Sequence, residues 1–291
     1  MSWRIVVISQ SAKLDYKMDY MIVRQENITK IHLSEILLLL IESTAVSLTA
    51  GLLCELTKRK IKVIFCDEKR NPCSELLGYY GSHDTSAKIR KQIQWGTEVK
   101  KLIWTEIVAE KIRNQKMFLE DLGKWEESRL LEKYLSELEP GDETNREGHA
   151  AKVYFNALFG MDFSRTLDHP INAALNYGYS IILSAVNREI TANGYLTQLG
   201  LFHDNMFNPF NLGSDLMEPY RILVDRQVYD MKPEKLEHEE KMTLVDILNR
   251  SVVIDGKVHY VSNAIKLYCR SIFDAIDDND ISLIKFYREE E

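Results

Sequence analysis

The sequence predicts an α+β protein with a small β-rich domain over residues 1–80 and a large helical domain over residues 81–291. The first 80 residues contain short apolar runs, one of which alternates between apolar and polar positions. From Ser86 to Glu139 the chain has no proline and is rich in leucine, glutamate, lysine and isoleucine. Gly81-Ser82-His83 separates the two patterns and marks the expected boundary.

The strands of the first domain are predicted from these apolar runs. The alternation of Leu14, Tyr16, Met18, Tyr20 and Ile22 is the period-2 pattern of one half-buried strand. Further strands are expected at WRIVVIS, ITKIHLS, EILLLLIES, KVIFCD and SELLGYY, with a turn at EKRNP between the last two. One helix is expected at SLTAGLLCELTKRK, where leucines recur at helical spacing before a basic end.

The rest of the chain is expected to be nearly all helix. The first helical block ends at Pro140-Gly141, and a second begins near Thr144. Pro170 occupies the first position of another helix behind Asp168, and Gly194 is expected to end that helix in the left-handed conformation.

Composition places the chain among globular proteins. Hydrophobic residues make up 45% and charged residues 28%, and the 13 glycines and 6 prolines leave no room for a long linker. The longest apolar run, residues 36–41, is too short to cross a membrane, and the N-terminus turns polar too early for a signal peptide. We therefore expect a cytoplasmic protein, with no membrane partner. The four cysteines match no zinc or redox spacing and are expected to be reduced and mostly buried.

The charge of the chain is unevenly distributed. The net charge of -7 argues mildly against general nucleic-acid binding, yet residues 81–116 carry +4 and residues 117–291 carry -13. The basic band is either part of a DNA-binding face or an ordinary solvated helix surface. Its members are Lys88, Arg90, Lys91, Lys100, Lys101, Lys111 and Arg113.

Four acidic or histidine side chains stand out as candidate ligands. Glu147 follows Thr144 at the spacing of a capping box, but small residues after it also leave room for a ligand. His203 is either structural or held in place as a ligand. Asp215 and Glu218 share one face of a predicted helix capped by Ser214, where they form either a salt-bridged or solvated pair or a cation site.

Aromatic neighbours are expected to hold the histidine. Phe202, Phe207 and Phe210 are predicted to anchor the polar loop around His203 into the core. Hard oxygen ligands with one imidazole suit Mg²⁺ or Mn²⁺ better than structural zinc, and such sites usually act on phosphates.

Four motifs, EGHAAKVYF, DHPINAALNYGYSIIL, GLFHDN and DLMEPYR, occur in an order and spacing that resemble the CRISPR-associated integrases and endonucleases. These are the larger, catalytic proteins of the spacer-acquisition complex. The resemblance covers essentially the full chain and implies a β-rich dimerisation domain followed by a helical catalytic domain. DLMEPYR is similar to the type II-A branch, found beside single-protein effector systems.

The resemblance implies a catalytic metal site made by Glu147, His203 and Glu218, with Asp215 as a candidate further ligand and Mg²⁺ or Mn²⁺ as cofactor. Many relatives have aspartate where this chain has Glu218. It also implies that the 3′-OH of a foreign DNA fragment attacks a phosphodiester at a repeat end, without a covalent enzyme intermediate. The candidate DNA-binding residues are Arg146 and Arg221 beside the metal, and Lys88, Arg90, Lys91 and Arg113.

The implied partners are double-stranded DNA, both as incoming fragment and as CRISPR repeat, and a second copy of the chain. A smaller CRISPR-associated partner dimer is expected to bridge two such dimers, and other adaptation proteins and the effector nuclease are candidate partners. Two alternatives remain open. One is a stand-alone, structure-specific nuclease that acts on branched DNA in repair, and the other is a DNA-binding scaffold whose acidic residues only cap helices.

Overall fold

The computed structural model describes residues 3–78 and 82–289, and residue contacts divide the chain into two compact units, residues 1–85 and 86–291. Among its described residues, the first unit contains two four-stranded sheets and one α-helix, and the second unit is mostly helical. The predicted α+β class, with strands first and helices after them, is confirmed.

The first unit contains sheets of strand order β1-β5-β7-β8 and β4-β3-β2-β6. Strands β1, β5 and β7 are parallel, and every residue of β5 is buried, as expected of a continuous apolar run. One hydrophobic cluster joins both sheets to α1 and includes Leu14, Leu39 and Leu52. The elements are β1 Arg4–Ile8, β2 Ala12–Lys17, β3 Tyr20–Arg24, β4 Ile28–His32, β5 Ile36–Ile41, β6 Val46–Leu48, α1 Ala50–Lys58, β7 Lys62–Cys66 and β8 Pro72–Glu75.

Two predictions for this unit are corrected. The alternating segment is a hairpin of two strands, because Met18 and Asp19 adopt positive φ values of 47° and 66° and reverse the chain between β2 and β3. The last strand, β8, begins at Pro72 inside the predicted turn and ends at Glu75. Tyr79 and Tyr80 of the predicted strand lie outside the described residues.

The second unit is organised around two long helices, α3 and α6, which bury more residues than any other helix described in that unit. Helix α3 packs against α4, α5, α8 and α10, and α6 packs against α8, α9 and α10. The elements are α2 Thr85–Ile93, α3 Thr97–Asp121, α4 Trp125–Ser136, α5 Arg146–Phe159, α6 Pro170–Ala192, α7 Asn211–Leu216, α8 Arg221–Met231, α9 His238–Val245, β9 Ser251–Ile254, β10 Lys257–Tyr260, α10 Val261–Asp278 and β11 Arg288–Glu289.

The sheet of order β10-β9-β11 corrects the expectation of an almost entirely helical remainder. Asp255 and Gly256, with φ values of 55° and 70°, form the two-residue turn between β9 and β10. An Asp-Gly pair between apolar runs is a strong hairpin signal, because both turn residues need positive φ.

Helix ends agree with the sequence only in part. Pro170 begins α6 and Gly194 lies just past its end with a φ of 86°, both as predicted, and His169 is its N-cap. The four cysteines are free, as expected, although Cys54 and Cys73 are exposed. In the described part of the chain we find no helix with the length and apolar character that a membrane crossing requires.

Candidate active site

Glu147 is the second residue of α5, and its side chain is not used for capping. The N-cap is Asn145, whose side-chain oxygen accepts a hydrogen bond from the amide of Gly148 at 3.3 Å. Asp142 accepts a hydrogen bond from the amide of Glu147 at 3.0 Å. The capping box predicted for Thr144 and Glu147 is therefore wrong, and the Glu147 carboxylate remains available for the site.

Glu218 begins a short 3-10 turn between α7 and α8 and is almost fully buried. Its Oε1 atom lies 2.9 Å from Nε of Arg221, and its Oε2 atom lies 2.5 Å from Nζ of Lys111. Burial raises the pKa of Glu218, but Arg221 and Lys111 together outweigh burial and hold that pKa below its ordinary value. Glu218 is thus a buried carboxylate kept in its charged form by two cations.

Lys111 lies on α3, and its ammonium group also pairs with Oε1 of Glu147. Burial lowers the pKa of Lys111, but the carboxylates of Glu218 and Glu147 raise it above its ordinary value overall. The interpretation of Lys111 as part of a solvent-facing basic helix surface is therefore wrong. Sequence analysis missed this role because the lysine stands among other basic residues and its two partners are distant in the chain.

His203 is held by Asp215, which lies in α7. The Nδ1 atom of His203 lies 2.6 Å from Oδ1 of Asp215. The two carboxylate oxygens also accept hydrogen bonds from the backbone amides of Leu201, Phe202 and His203. The hydrogen bond from His203 to Asp215 raises the pKa of the imidazole, and burial only partly opposes it. Nδ1 is occupied in this way, so Nε2 is the nitrogen that a ligand can use.

Asp215 and Glu218 do not form the predicted pair on one helix face. Asp215 is fully buried and its oxygens are engaged by the His203 loop, whereas Glu218 pairs with Lys111 and Arg221. Ser214 lies inside α7 and does not cap it. In this structure Asp215 is therefore a positioning residue for His203, and it is not the second carboxylate beside Glu218.

Polar contacts and one aromatic contact hold the loop that carries His203. Phe207 is 87% exposed and Phe202 is half exposed, although Phe202 stacks on Trp104 with ring centroids 4.6 Å apart. The side chain of Asn211 donates to the backbone oxygens of Gln198 and Asn205. The prediction that the phenylalanines anchor this loop is wrong for Phe207. Asn211 and Asp215 hold the loop instead, through hydrogen bonds with its backbone.

Two of the three predicted metal ligands converge in the structure. Glu147 and Glu218 both contact the ammonium of Lys111, so one small cation already lies between their carboxylates. His203 lies near enough for both carboxylates to raise its pKa. Across residues 3–78 and 82–289, however, no three acidic, histidine or cysteine side chains are arranged to hold a metal ion together. The two carboxylates fit a hard divalent cation, but the ammonium stands where it would bind.

The two arginines predicted to meet phosphates beside the metal have protein partners. Arg221 pairs with Glu218, and its guanidinium lies 4.6 Å from the ring centroid of Tyr179. The hydroxyl of Tyr179 donates to buried Asp225, whose pKa is raised by burial to about 6. Arg146 lies 3.1 Å from Glu137. Arg221 is therefore fixed beside Glu218, whereas Arg146 pairs with a different carboxylate, that of Glu137.

Several members of the basic band are also engaged. Lys88 and Lys91 of α2 lie 3.6 Å and 2.8 Å from the Asp277 carboxylate of α10, and Arg113 lies 3.2 Å from Glu110. Arg90 is exposed on α2. The contacts of Lys88 and Lys91 attach α2 to α10, so part of the band stabilises the helical unit. DNA binding by Lys88, Arg90, Lys91 and Arg113 stays a prediction.

A cavity of about 480 Å³ adjoins the segments that carry Glu147 and His203. Asn145 and Phe202, one or two residues away from those side chains, contribute to its wall. The indole N–H of Trp104 is buried there and has no hydrogen-bond partner among the described residues. The lining of the cavity also includes Trp95, Lys100 and Lys101. Aromatic rings with lysines are the residue types that bind unpaired nucleotides.

Comparison with known proteins identifies the family. A model of the family described as "CRISPR associated protein Cas1" matches residues 5–244. The chain is 36% identical over 229 residues to a CRISPR-associated endonuclease Cas1 of Neisseria meningitidis serogroup C (strain 8013), covering 78% of this chain and 75% of that protein. It is 27% identical over 243 residues to a CRISPR-associated endonuclease Cas1 of Francisella tularensis subsp. novicida (strain U112), covering 76% and 75%.

Solved structures agree with this result at the level of the fold. A CAS1 protein from Thermotoga maritima superposes with a TM-score of 0.78 at 18% identity, covering 99% of this chain and all of that one. A casposase bound to an integration product also gives a TM-score of 0.78, at 19% identity, covering 97% and 92%. The predicted resemblance is therefore confirmed, although its type II-A branch stays a prediction. The motifs, the fold and the matched relatives together show that this chain belongs to the Cas1 family of CRISPR-associated proteins.

Proposed function

We propose that this protein is a divalent-metal-dependent DNA integrase and endonuclease that inserts foreign DNA fragments into a CRISPR array. In the proposed reaction, the 3′-OH of the fragment attacks a phosphodiester at the repeat end, and the 3′-OH of the repeat strand leaves. The convergence of Glu147 and Glu218 on one cation carries this proposal. The relatives named endonucleases and the casposase bound to an integration product support it.

The residues of the site have distinct parts in this chemistry. Glu147 and Glu218 would hold the metal, and His203 would offer Nε2 because Asp215 holds its Nδ1. A bound Mg²⁺ or Mn²⁺ lowers the pKa of an attacking hydroxyl and neutralises charge on the phosphate. Arg221, fixed by Glu218 and Tyr179, adds positive charge beside the same carboxylates.

Partners are proposed on the same basis. The similar structures include a complex titled Cas6-RT-Cas1–Cas2, with a TM-score of 0.76 at 18% identity, covering 99% of this chain and 36% of that one. They also include a complex of a Cas1 protein with DNA, with a TM-score of 0.53 at 14% identity, covering 95% of this chain and 91% of that one. We infer that this chain acts on double-stranded DNA as a homodimer, with a smaller CRISPR-associated dimer bridging two such dimers. The cavity lined by Trp95, Trp104 and Lys100 would suit an unpaired nucleotide near the reacting end.

The test is half-site integration of a labelled duplex into a plasmid that bears the repeat, with Mg²⁺ or Mn²⁺ and the partner protein. Glu147→Gln and His203→Ala should each lower strand joining by at least about a hundredfold, since each removes a proposed ligand. Glu132→Gln is the matched control, because Glu132 is an exposed acidic residue of the same helical unit that pairs with Lys116 and does not line the cavity. Near-parental joining in either ligand variant, or in excess chelator, would contradict the proposal.

The same assay addresses the alternative of a stand-alone nuclease for branched DNA, which the endonuclease names of the relatives favour. Branched and plain duplexes are incubated without the partner and without a repeat. Metal-dependent cleavage of branched DNA, with no strand joining even when partner and repeat are supplied, would support the nuclease and reject the integrase.

A further inference from the structure

Lys111 stands out on α3 because it is a charged residue within a buried helix face. Ile107, Val108 and Ile112 around it are fully buried. Its aliphatic stem crosses this apolar region, and its ammonium reaches Glu147 of α5 and Glu218 of the turn before α8. One side chain thus connects three segments of the helical unit at the candidate active site.

The charges around this ammonium are balanced. Two carboxylates, Glu147 and Glu218, face two cations, Lys111 and Arg221. Removal of one member of a buried ion pair leaves the remaining charge uncompensated, which is strongly destabilising. Without the ammonium, the two carboxylates would repel each other in a poorly solvated place. Lys111 therefore supplies the charge that keeps the site formed when no metal is bound.

A divalent cation cannot simply be added to this arrangement. It would place two further positive charges against an ammonium that already occupies the space between the carboxylates. Arg221 contacts Oε1 of Glu218 and Lys111 contacts Oε2, so both oxygens of that carboxylate already have a cationic partner. The arrangement accommodates either the ammonium or the metal between Glu147 and Glu218.

We propose that Lys111 is the resident counter-cation of the Glu147–Glu218 pair and has to withdraw from both carboxylates before a divalent metal binds. This inference rests on the proposed metal-dependent function. It gives Lys111 a positioning role that lowers the affinity of the site for metal while preserving the site in the metal-free protein.

Substitution of Lys111 provides the first test. Lys111→Met keeps the length of the side chain and removes its charge, so Mn²⁺ should bind at least about tenfold more tightly than in the parent, because no ammonium competes. Mn²⁺ should also raise the melting temperature of the variant more than that of the parent, since the metal replaces the missing charge. Free Mn²⁺ is measured by electron paramagnetic resonance. Lys116→Met is the control, because Lys116 lies on α3 and pairs with Glu132 instead.

Unaltered Mn²⁺ affinity in Lys111→Met, or weaker binding, would overturn the inference. A second measurement uses the unaltered chain and does not depend on the folding of a variant. Reductive methylation of lysines is followed by peptide mass spectrometry with and without Mn²⁺. Withdrawal of Lys111 should raise its methylation rate several-fold when Mn²⁺ is present and leave Lys116 unchanged. A Lys111 rate that does not respond to Mn²⁺ would likewise overturn the inference.

These results separate the inference from the function on which it rests. If Mn²⁺ binds neither the parent nor Lys111→Met, the proposed metal-dependent function is rejected together with the inference. If Mn²⁺ binds both proteins with equal affinity and Glu147→Gln abolishes that binding, only the role of Lys111 is rejected.

Discussion

At the scale of single residues, other groups compensate the buried charges of the candidate active site. Lys111 is compensated by Glu147 and Glu218, and Asp215 by three backbone amides and His203. Asp225 differs, because burial dominates over the hydroxyl of Tyr179 and the charge of Arg221 and raises its pKa to about 6. A buried carboxyl with a raised pKa makes stability depend on pH.

The sign of that dependence can be predicted. The pKa of Asp225 rises from 3.8 to about 6 on folding, so the folded protein holds the proton more tightly. The stabilising contribution of protonation is present below pH 4 and is lost as the pH rises to about 6, amounting to about 3 kcal/mol at most. Asp225→Asn cannot titrate. Its free energy of unfolding should therefore increase relative to the parent between pH 4 and pH 7.

Urea unfolding of both proteins at several pH values in that range measures the difference. Comparison with the parent cancels the contribution of other titrating groups. A difference in the free energy of unfolding that does not change with pH would show that Asp225 keeps an ordinary pKa in the folded protein.

At the scale of elements, α6 packs closely against α8, the helix that begins with Arg221. Gly178 of α6 lies at this contact, and a methyl group built on it would come within 2.4 Å of Val224 in α8. The absence of a side chain at Gly178 thus allows the two helices to approach closely. Arg221, the first residue of α8, then reaches both Glu218 and the ring of Tyr179.

Gly178→Ala should consequently lower the free energy of unfolding by about 1–3 kcal/mol through overpacking. Gly51→Ala is the matched control, since Gly51 is also helical and has nothing within 4 Å of the added methyl group. That control should gain about 0.5–1 kcal/mol from helix propensity. Urea denaturation measures both variants. Equal effects of the two substitutions would show that the α6–α8 contact has room for a methyl group.

At the scale of the whole molecule, the first unit leaves apolar side chains exposed along one sheet. Met18 is 80% exposed in the turn between β2 and β3, and Ile28 is exposed at the start of β4. Strand β4 lies at the edge of its sheet, so its outer hydrogen-bonding groups have no neighbouring strand in that sheet. Exposed apolar residues and open edges are commonly covered by pairing with a second copy of the chain.

Light scattering should accordingly report a particle near twice the chain mass of 33.8 kDa. Ile28→Lys should shift the equilibrium toward monomer if β4 takes part in the contact, because it places a charge in an apolar interface. The unchanged helical circular dichroism of that variant is the control for folding. A parent protein that remains monomeric at micromolar concentration would contradict the predicted homodimer.

The sequence by itself determined the features that depend on neighbouring residues. The change from period-2 apolar runs to long proline-free stretches predicts strands before helices, and the turn at Gly194 follows from the conformational freedom of glycine. The hairpin at Asp255 and Gly256 also depends on neighbouring residues. The Asp-Gly pair that indicates it was present in the sequence, although the segment was interpreted as helix. The four motifs also predicted the family that the comparison shows.

Only the tertiary structure decided which charges meet. Lys111 is 36 residues from Glu147 and still farther from Glu218, so no local pattern separates it from the other basic residues of the band. The role of Asp215 was likewise hidden in the sequence. Its spacing suggests a partner for Glu218, but its carboxylate oxygens form hydrogen bonds with the His203 loop. Burial and ion pairing arise where distant segments pack together, and the free energy of a charge depends on those surroundings far more than on its neighbours in sequence.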